Sequence, residues 1–238
     1  MNRPGAETEP PIRSAATVIV VRDGTEGLET LLLRRHSDVA FHGGAWVFPG
    51  GRIDEADYGS SPVPSDPTSD DHEPAARVAA LREAYEEASL ELNPDDLVPF
   101  SHWTTPALRV KRYATWFFVA TAPAGEVTVD GSEITDHRWM SPDSALAARD
   151  AGEIELPPPT YVTLRRLATA STVADVLADA AESTYLRFEP HIRLVEGGFV
   201  SIYEGDIAYA DESLFDAEGP RHRLYAVNPT WRYESSPR

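Results

Sequence analysis

The chain contains no cysteine. That absence excludes disulfide frameworks, thiolate zinc sites, iron–sulfur clusters and a cysteine nucleophile. Positive charge is scarce as well: 21 lysines and arginines stand against 39 aspartates and glutamates, a formal net charge of −18. A surface of that sign repels polyanions, which argues against long nucleic acid as a partner. It does not exclude a small phosphorylated substrate, because bound divalent cations invert the field locally. Long apolar runs are also missing. The longest, Ala15 to Val21, is far too short to cross a bilayer, and Met1 to Ala15 lacks the apolar segment of a signal peptide. The expectation is a cytoplasmic protein that does not engage a membrane.

What is present is ordinary globular material: 42% hydrophobic and 25% charged residues over 238 positions, enough to bury a core without staples. Residues 1–14, rich in Pro and Glu, read as a disordered lead. Ala16 to Val21 and Leu28 to Leu33 read as strands joined through Asp23-Gly24 and Gly27. A glycine-rich loop, Phe41 to Gly51, follows, and then an acidic stretch at 55–73 that reads as an exposed insertion. Pro74 to Leu90 is the clearest helix, with proline in its first turn and strong helix formers throughout. Strands are expected at Ala114 to Thr121 and Ile134 to Met140, a helix capped by Ser141 before Pro142, and further helices near 160–169 and 172–184. Short strands follow at His191 to Val195, Phe199 to Tyr203 and Leu224 to Val227, with Gly197-Gly198 as a hairpin turn. Strands mixed with helices in this order predict an α/β (α+β) sandwich over residues 15–170, with an extension of helix and strand at 171–238.

The 74–90 helix carries the chemistry. At about 100° per residue, Val78, Leu81, Tyr85 and Ala88 fall on one face, and Glu83, Glu86 and Glu87 gather on the other. Ala76, Ala79 and Ala80 lie near the carboxylates and leave room beside them. Like charges so spaced cost a helix about 0.2–0.5 kcal/mol per pair. A hard divalent cation bound between them reverses that sign, and magnesium prefers oxygen ligands. An exposed glutamate-rich face is the other reading.

Phe48-Pro49-Gly50-Gly51 and, downstream, Arg82-Glu83-Ala84-Tyr85-Glu86-Glu87-Ala88-Ser89-Leu90 resemble the Nudix box, a glycine followed by R-E-U-x-E-E-x-G-U with U aliphatic. The sequence departs from the pattern in three places. Gly51 and Arg82 stand farther apart than in the undivided motif, so the acidic insertion splits it. Pro74, with Glu73 beside it, replaces an expected glutamate. Ser89 replaces the terminal glycine. Split boxes of this kind resemble a branch that includes coenzyme A diphosphatases of the peroxisomal type. GAWVFPGGRID, His102 to Pro106 and DHRWMSP extend the similarity, while His42, Gly44 and Phe48 match part of that branch's motif and Ala40 replaces its arginine.

The resemblance implies a Nudix-type α/β/α sandwich that hydrolyses a diphosphate bond in a nucleoside diphosphate linked to another group. Coenzyme A or acyl-coenzyme A is one substrate, and ADP-ribose, NADH or dinucleotides are others; a non-catalytic nucleotide sensor is the alternative. It further implies Mg2+ or Mn2+ held by Glu83, Glu86, Glu87 and the Gly50 carbonyl, and a homodimer. Glu133, ahead of the 134–140 strand, stands where such enzymes place a loop carboxylate that binds metal or activates water; a solvated turn residue is its other reading. Asp54 and Asp136 are further candidates. Arg34, Arg35 and Arg52 are the cations best placed to meet phosphate, arginine offering a planar fork for the purpose, and Arg82 orients Glu83 or braces the loop. Trp46, Trp103 and Trp116 read as core, His42 as a loop-structuring residue, and Arg221, His222 and Arg223 either as an anion clasp or as part of a dimer edge.

Overall fold

A computed structural model describes residues 10–37, 43–107, 110–182 and 184–236. In chain order the elements are β1 (Ile12–Gly24), β2 (Gly27–Arg35), β3 (Trp46–Val47), β4 (Gly50–Arg52), α1 (Glu73–Ala88), β5 (Val98–Thr104), β6 (Arg112–Thr121), β7 (Ile134–Met140), α2 (Pro142–Asp150), α3 (Pro158–Leu167), α4 (Val173–Glu182), β8 (Leu186–Phe188), β9 (His191–Val195), β10 (Gly198–Ile202), β11 (His222–Val227) and β12 (Trp231–Ser235).

Strands β1 and β6 run parallel side by side, from Ile12 opposite Arg112 to Val21 opposite Thr121. They are near-continuous apolar runs because both faces of the sheet are covered. Alternation sorts their side chains. Ala16, Val18, Val20, Trp116, Phe118 and Ala120 meet the alanines of α1, whereas Ile19, Val21, Phe117 and Val119 face the core closed by α2, α3 and α4. The sheet order is β3-β2-β1-β6-β5-β8, with β4 added to β1 and β7 to β2. This is the expected α/β/α sandwich.

A second, antiparallel sheet follows, ordered β12-β11-β10-β9. Tyr203, Leu224 and Ala226 on its inner side join the main core beside Trp103 and Phe188. Val200 and Ile202 on its outer side pack under Ala208 and Phe215.

The structure corrects several expectations. Strand β1 begins at Ile12, inside the stretch read as a lead; residues 1–9 lie outside the described residues. The β9–β10 turn is Glu196-Gly197, since Gly198 already pairs with Val195. The buried face of α1 is its alanine face, while Val78 and Tyr85 are about half exposed. The 55–73 insertion is anchored at both ends. Asp57 and His72 are buried, Tyr58 Oη and His72 Nδ1 lie 2.5 Å apart, and Asp70 meets Tyr185 and Arg187. Several of its carboxylates, Asp57 and Asp70 among them, thus have assigned partners, while most of the segment faces solvent.

Candidate active site

The site forms where β4 passes beneath α1. Two glycines permit that crossing: a side chain at Gly50 would strike the Ala16 backbone, and one at Gly51 would strike the Glu83 carboxylate. The Gly50 N–H donates to Glu87 Oε2 at 2.9 Å. Alanines on the same face of α1 let the helix settle close to the sheet, which carries Glu87 into a buried position.

Arg82 holds the cluster together. It donates to Glu83 Oε1 at 2.8 Å, to Glu86 Oε2 at 3.2 Å and to the Arg52 carbonyl at 3.0 Å. Its Nε and second amino group reach Asp57 at 3.2 and 3.0 Å. These bonds, those to Asp57 foremost, hold the guanidinium firmly protonated. Burial raises the pKa of Glu83 against the pull of Arg82, with Glu86 and Glu133 adding to the rise. Burial pushes Glu87 further, up to about 8, opposed by the Gly50 N–H and reinforced by Glu83.

These carboxylates open into a cavity of about 1100 Å3. Arg35, Arg52, Asp54, Asp130 and Glu133 line the same space. Arg35 Nη2 lies 3.9 Å from Glu133 Oε2, and its buried Nε has no hydrogen-bond partner among the described residues. Glu133 is two-thirds exposed on a turn whose backbone N–H groups donate to Asp130 Oδ1. It is a solvated turn residue and a cavity residue at once.

Not every candidate converges. Arg34 is exposed, opposite Trp46 and Asp136 in neighbouring strands, and neither it nor Asp136 lines the cavity: the alternation that turns Arg35 inward turns Arg34 away. Glu73 pairs with Arg77 at 2.5 Å in the first turn of α1, away from the site. Trp46, Trp103 and Trp116 are buried, and Trp103 stacks on Phe188 with centroids 3.9 Å apart. His222 and Arg223 are buried in β11 and meet Asp206, so they do not form an anion clasp. His42 lies outside the described residues. Asp57 was not anticipated. Its one sequence signal is the Asp54-x-x-Asp57 capping pattern, which marks a turn and gives no hint of Arg82. Nor was the cavity's far wall, drawn from β9 and β10, whose period-two alternation was its signal.

Among the described residues no three carboxylates approach one another as a preassembled metal cage. The donor chemistry nevertheless fits a hard divalent cation. Glu83 and Glu86 share one guanidinium, Glu87 lies beside them on the Gly50 N–H, and burial suppresses the ionisation of Glu83 and Glu87, which a bound cation would restore.

A split glycine–helix motif, bearing its carboxylates beneath a mixed sandwich, is the construction of a Nudix protein, and residues 11–158 match the NUDIX domain family. The chain belongs to that family. It is a Nudix hydrolase, its reaction the hydrolysis of a diphosphate linkage, and enzymes of this family generally use divalent metals. It is similar to acyl-coenzyme A diphosphatase NUDT19 of Homo sapiens, 28% identical over 280 aligned positions covering 80% of this chain and 74% of that protein. The NUDT19 of Gallus gallus is 30% identical over 71% of this chain and 49% of its own length. Among solved structures, a NUDIX hydrolase from Alicyclobacillus acidocaldarius superposes with a TM-score of 0.63 at 25% identity, over 71% of this chain and 96% of that one.

Proposed function

We propose that this enzyme cleaves the diphosphate of coenzyme A or its acyl thioesters, with Mg2+ or Mn2+, as a cytoplasmic homodimer. The observation that carries the reading is the single cavity in which the α1 carboxylates, Arg35, Arg52 and Glu133 converge; the similarity to acyl-coenzyme A diphosphatases supports the substrate. Glu83, Glu86 and Glu87, with the Gly50 carbonyl, would hold the metal. Such an ion neutralises a diphosphate and lowers the pKa of an attacking water.

The remaining work falls to the chain. Arg35, whose buried Nε lacks a partner among the described residues, donates to a phosphate oxygen, and Arg52 at the cavity rim offsets charge on the second phosphate. Glu133 accepts the water proton on a carboxylate oxygen, its exposure on the turn leaving the side chain free to swing toward the water. The water oxygen joins one phosphorus, the bridging P–O bond breaks, and the bridging oxygen leaves on the other phosphate. Arg82 holds Glu83 and Glu86 in place throughout.

Incubation of the purified protein with coenzyme A and either metal is expected to yield 3′,5′-ADP and phosphopantetheine by mass spectrometry. Release of AMP from ADP-ribose, NADH or a dinucleotide, with coenzyme A untouched, would overturn the substrate assignment. Sedimentation at micromolar concentration checks the dimer.

A further inference from the structure

The cavity has two chemically distinct ends. Around α1 and β4 its lining is dense with charge: Arg35, Arg52, Arg82, Glu83, Glu87 and Glu133. The opposite wall comes from 157–160, Pro190 and strands β9 and β10, and it contributes no charged residue to the space. Four of its members, Pro157, Pro158, Pro159 and Pro190, carry no backbone N–H. Its side-chain polar groups are the hydroxyls of Thr160, Ser201 and Tyr203, and the rest of its lining is apolar.

Period-two alternation aims Ile192 and Leu194 of β9 and Phe199 of β10 into this space. Leu194 and Phe199 stand directly opposite each other in the β9–β10 ladder, a cross-strand apolar pair on one face. Leu194 is 77% exposed although it points inward. An isolated exposed leucine on a convex surface needs no explanation. One set in a concave wall with a phenylalanine and prolines, continuous with a charged site, is an apolar surface without its partner.

We infer that the inner face of β9 and β10 is a subsite for an aliphatic chain, the acyl arm of a thioester substrate whose diphosphate lies among the α1 carboxylates. The inference rests on the proposed coenzyme A reading for the attachment of the chain to the diphosphate. The apolar Ile192, Leu194 and Phe199, the absence of charge on this wall and its continuity with the charged end select a saturated chain over adenine. The enzyme is therefore selective for acylated over free substrate, and the selectivity comes from the extension beyond the family-matched residues 11–158. Full burial of a methylene gains about fourfold in binding. One-sided contact, as this open wall offers, gains about twofold.

The test is the ratio of kcat/KM for octanoyl-coenzyme A to that for free coenzyme A. A rise of about twofold per methylene from acetyl to octanoyl is expected for the unmodified enzyme. Leu194→Asp is expected to lower the ratio at least about fivefold, and Leu194→Met to preserve it. A flat chain-length series, or a ratio that Leu194→Asp leaves unchanged, overturns the subsite. Octanoyl-pantetheine, which lacks nucleotide and phosphates, separates this outcome from failure of the coenzyme A reading. If no coenzyme A compound is turned over, saturable binding of octanoyl-pantetheine by calorimetry, weakened by Leu194→Asp, still supports the subsite. Absence of such binding overturns it whatever the turnover.

Discussion

Two arginines, one in each sheet-forming region, make the same bidentate contact with an aspartate from a distant segment. In the C-terminal sheet, Arg223 donates from Nε to Asp206 Oδ2 at 2.7 Å and from Nη2 to Oδ1 at 2.5 Å, and both side chains are almost wholly buried. The pair is closed. Asp206 also accepts from the Ala208 and His222 backbones, and the third nitrogen of Arg223 donates to the Phe215 carbonyl. At the candidate site, Arg82 grips Asp57 similarly but keeps donors for Glu83 and Glu86 and remains about a quarter exposed. Where the spare N–H groups point decides what each pair does. Arg223 spends them on backbone and locks the cover of the outer face; Arg82 spends them on carboxylates that face the cavity.

Breaking the closed pair has the largest expected effect. Asp206→Ala strands a buried guanidinium, which costs about 3–5 kcal/mol. For a chain of this size the melting temperature is expected to fall by roughly 10 °C, read by circular dichroism. Turnover at low temperature, per folded molecule, should stay within about twofold, because neither partner lines the cavity. An unchanged melting temperature would mean that the outer face relaxes around Arg223 and that the pair does not lock it.

On the open side, Glu87→Gln keeps the volume and an oxygen to accept from Gly50 N–H, but removes a charge offered to metal. Turnover is expected to drop at least about a hundredfold, beyond the 10- to 100-fold typical of groups that only support metal ligands. Folding is expected to be preserved or slightly strengthened, since burial already disfavours the Glu87 carboxylate. Near-normal turnover with either metal would sink the role given to Glu87.

The contrast also explains what was legible beforehand. Glu83, Glu86 and Glu87 are local, one turn of one helix, and helical spacing alone groups them. Which face of the same helix packs was not legible, because hydrophobicity ranks Val78 and Tyr85 above alanine. The close approach of α1 to the sheet instead requires small side chains, and the larger ones are left at the surface. Strand β5 escaped notice because Pro99, Ser101 and His102 dilute its pattern, although its neighbours β6 and β8 bury the last five residues. Asp57, His72 and Asp206 belong to acidic or turn-rich stretches that look solvated until the distant partner is known, and no local pattern names that partner. The cavity's apolar wall has the same origin: alternation assigns Leu194 and Phe199 to one face, but only the tertiary fold turns that face toward Glu87.

The finest comparison is between the two aspartates themselves. Asp57→Asn retains size and one acceptor oxygen, and Arg82 keeps Glu83, Glu86 and the Arg52 carbonyl as partners, so the stability loss is expected to stay near 1 kcal/mol. Freed from Asp57, the guanidinium is available to pair more strongly with the very carboxylates a cation needs. The concentration of Mg2+ or Mn2+ giving half-maximal turnover is therefore expected to rise about tenfold, with kcat at saturating metal nearly restored. A structural role alone predicts the opposite division, lower stability with an unmoved metal titration. That outcome would make Asp57 a second Asp206, a brace for the insertion rather than a restraint on Arg82.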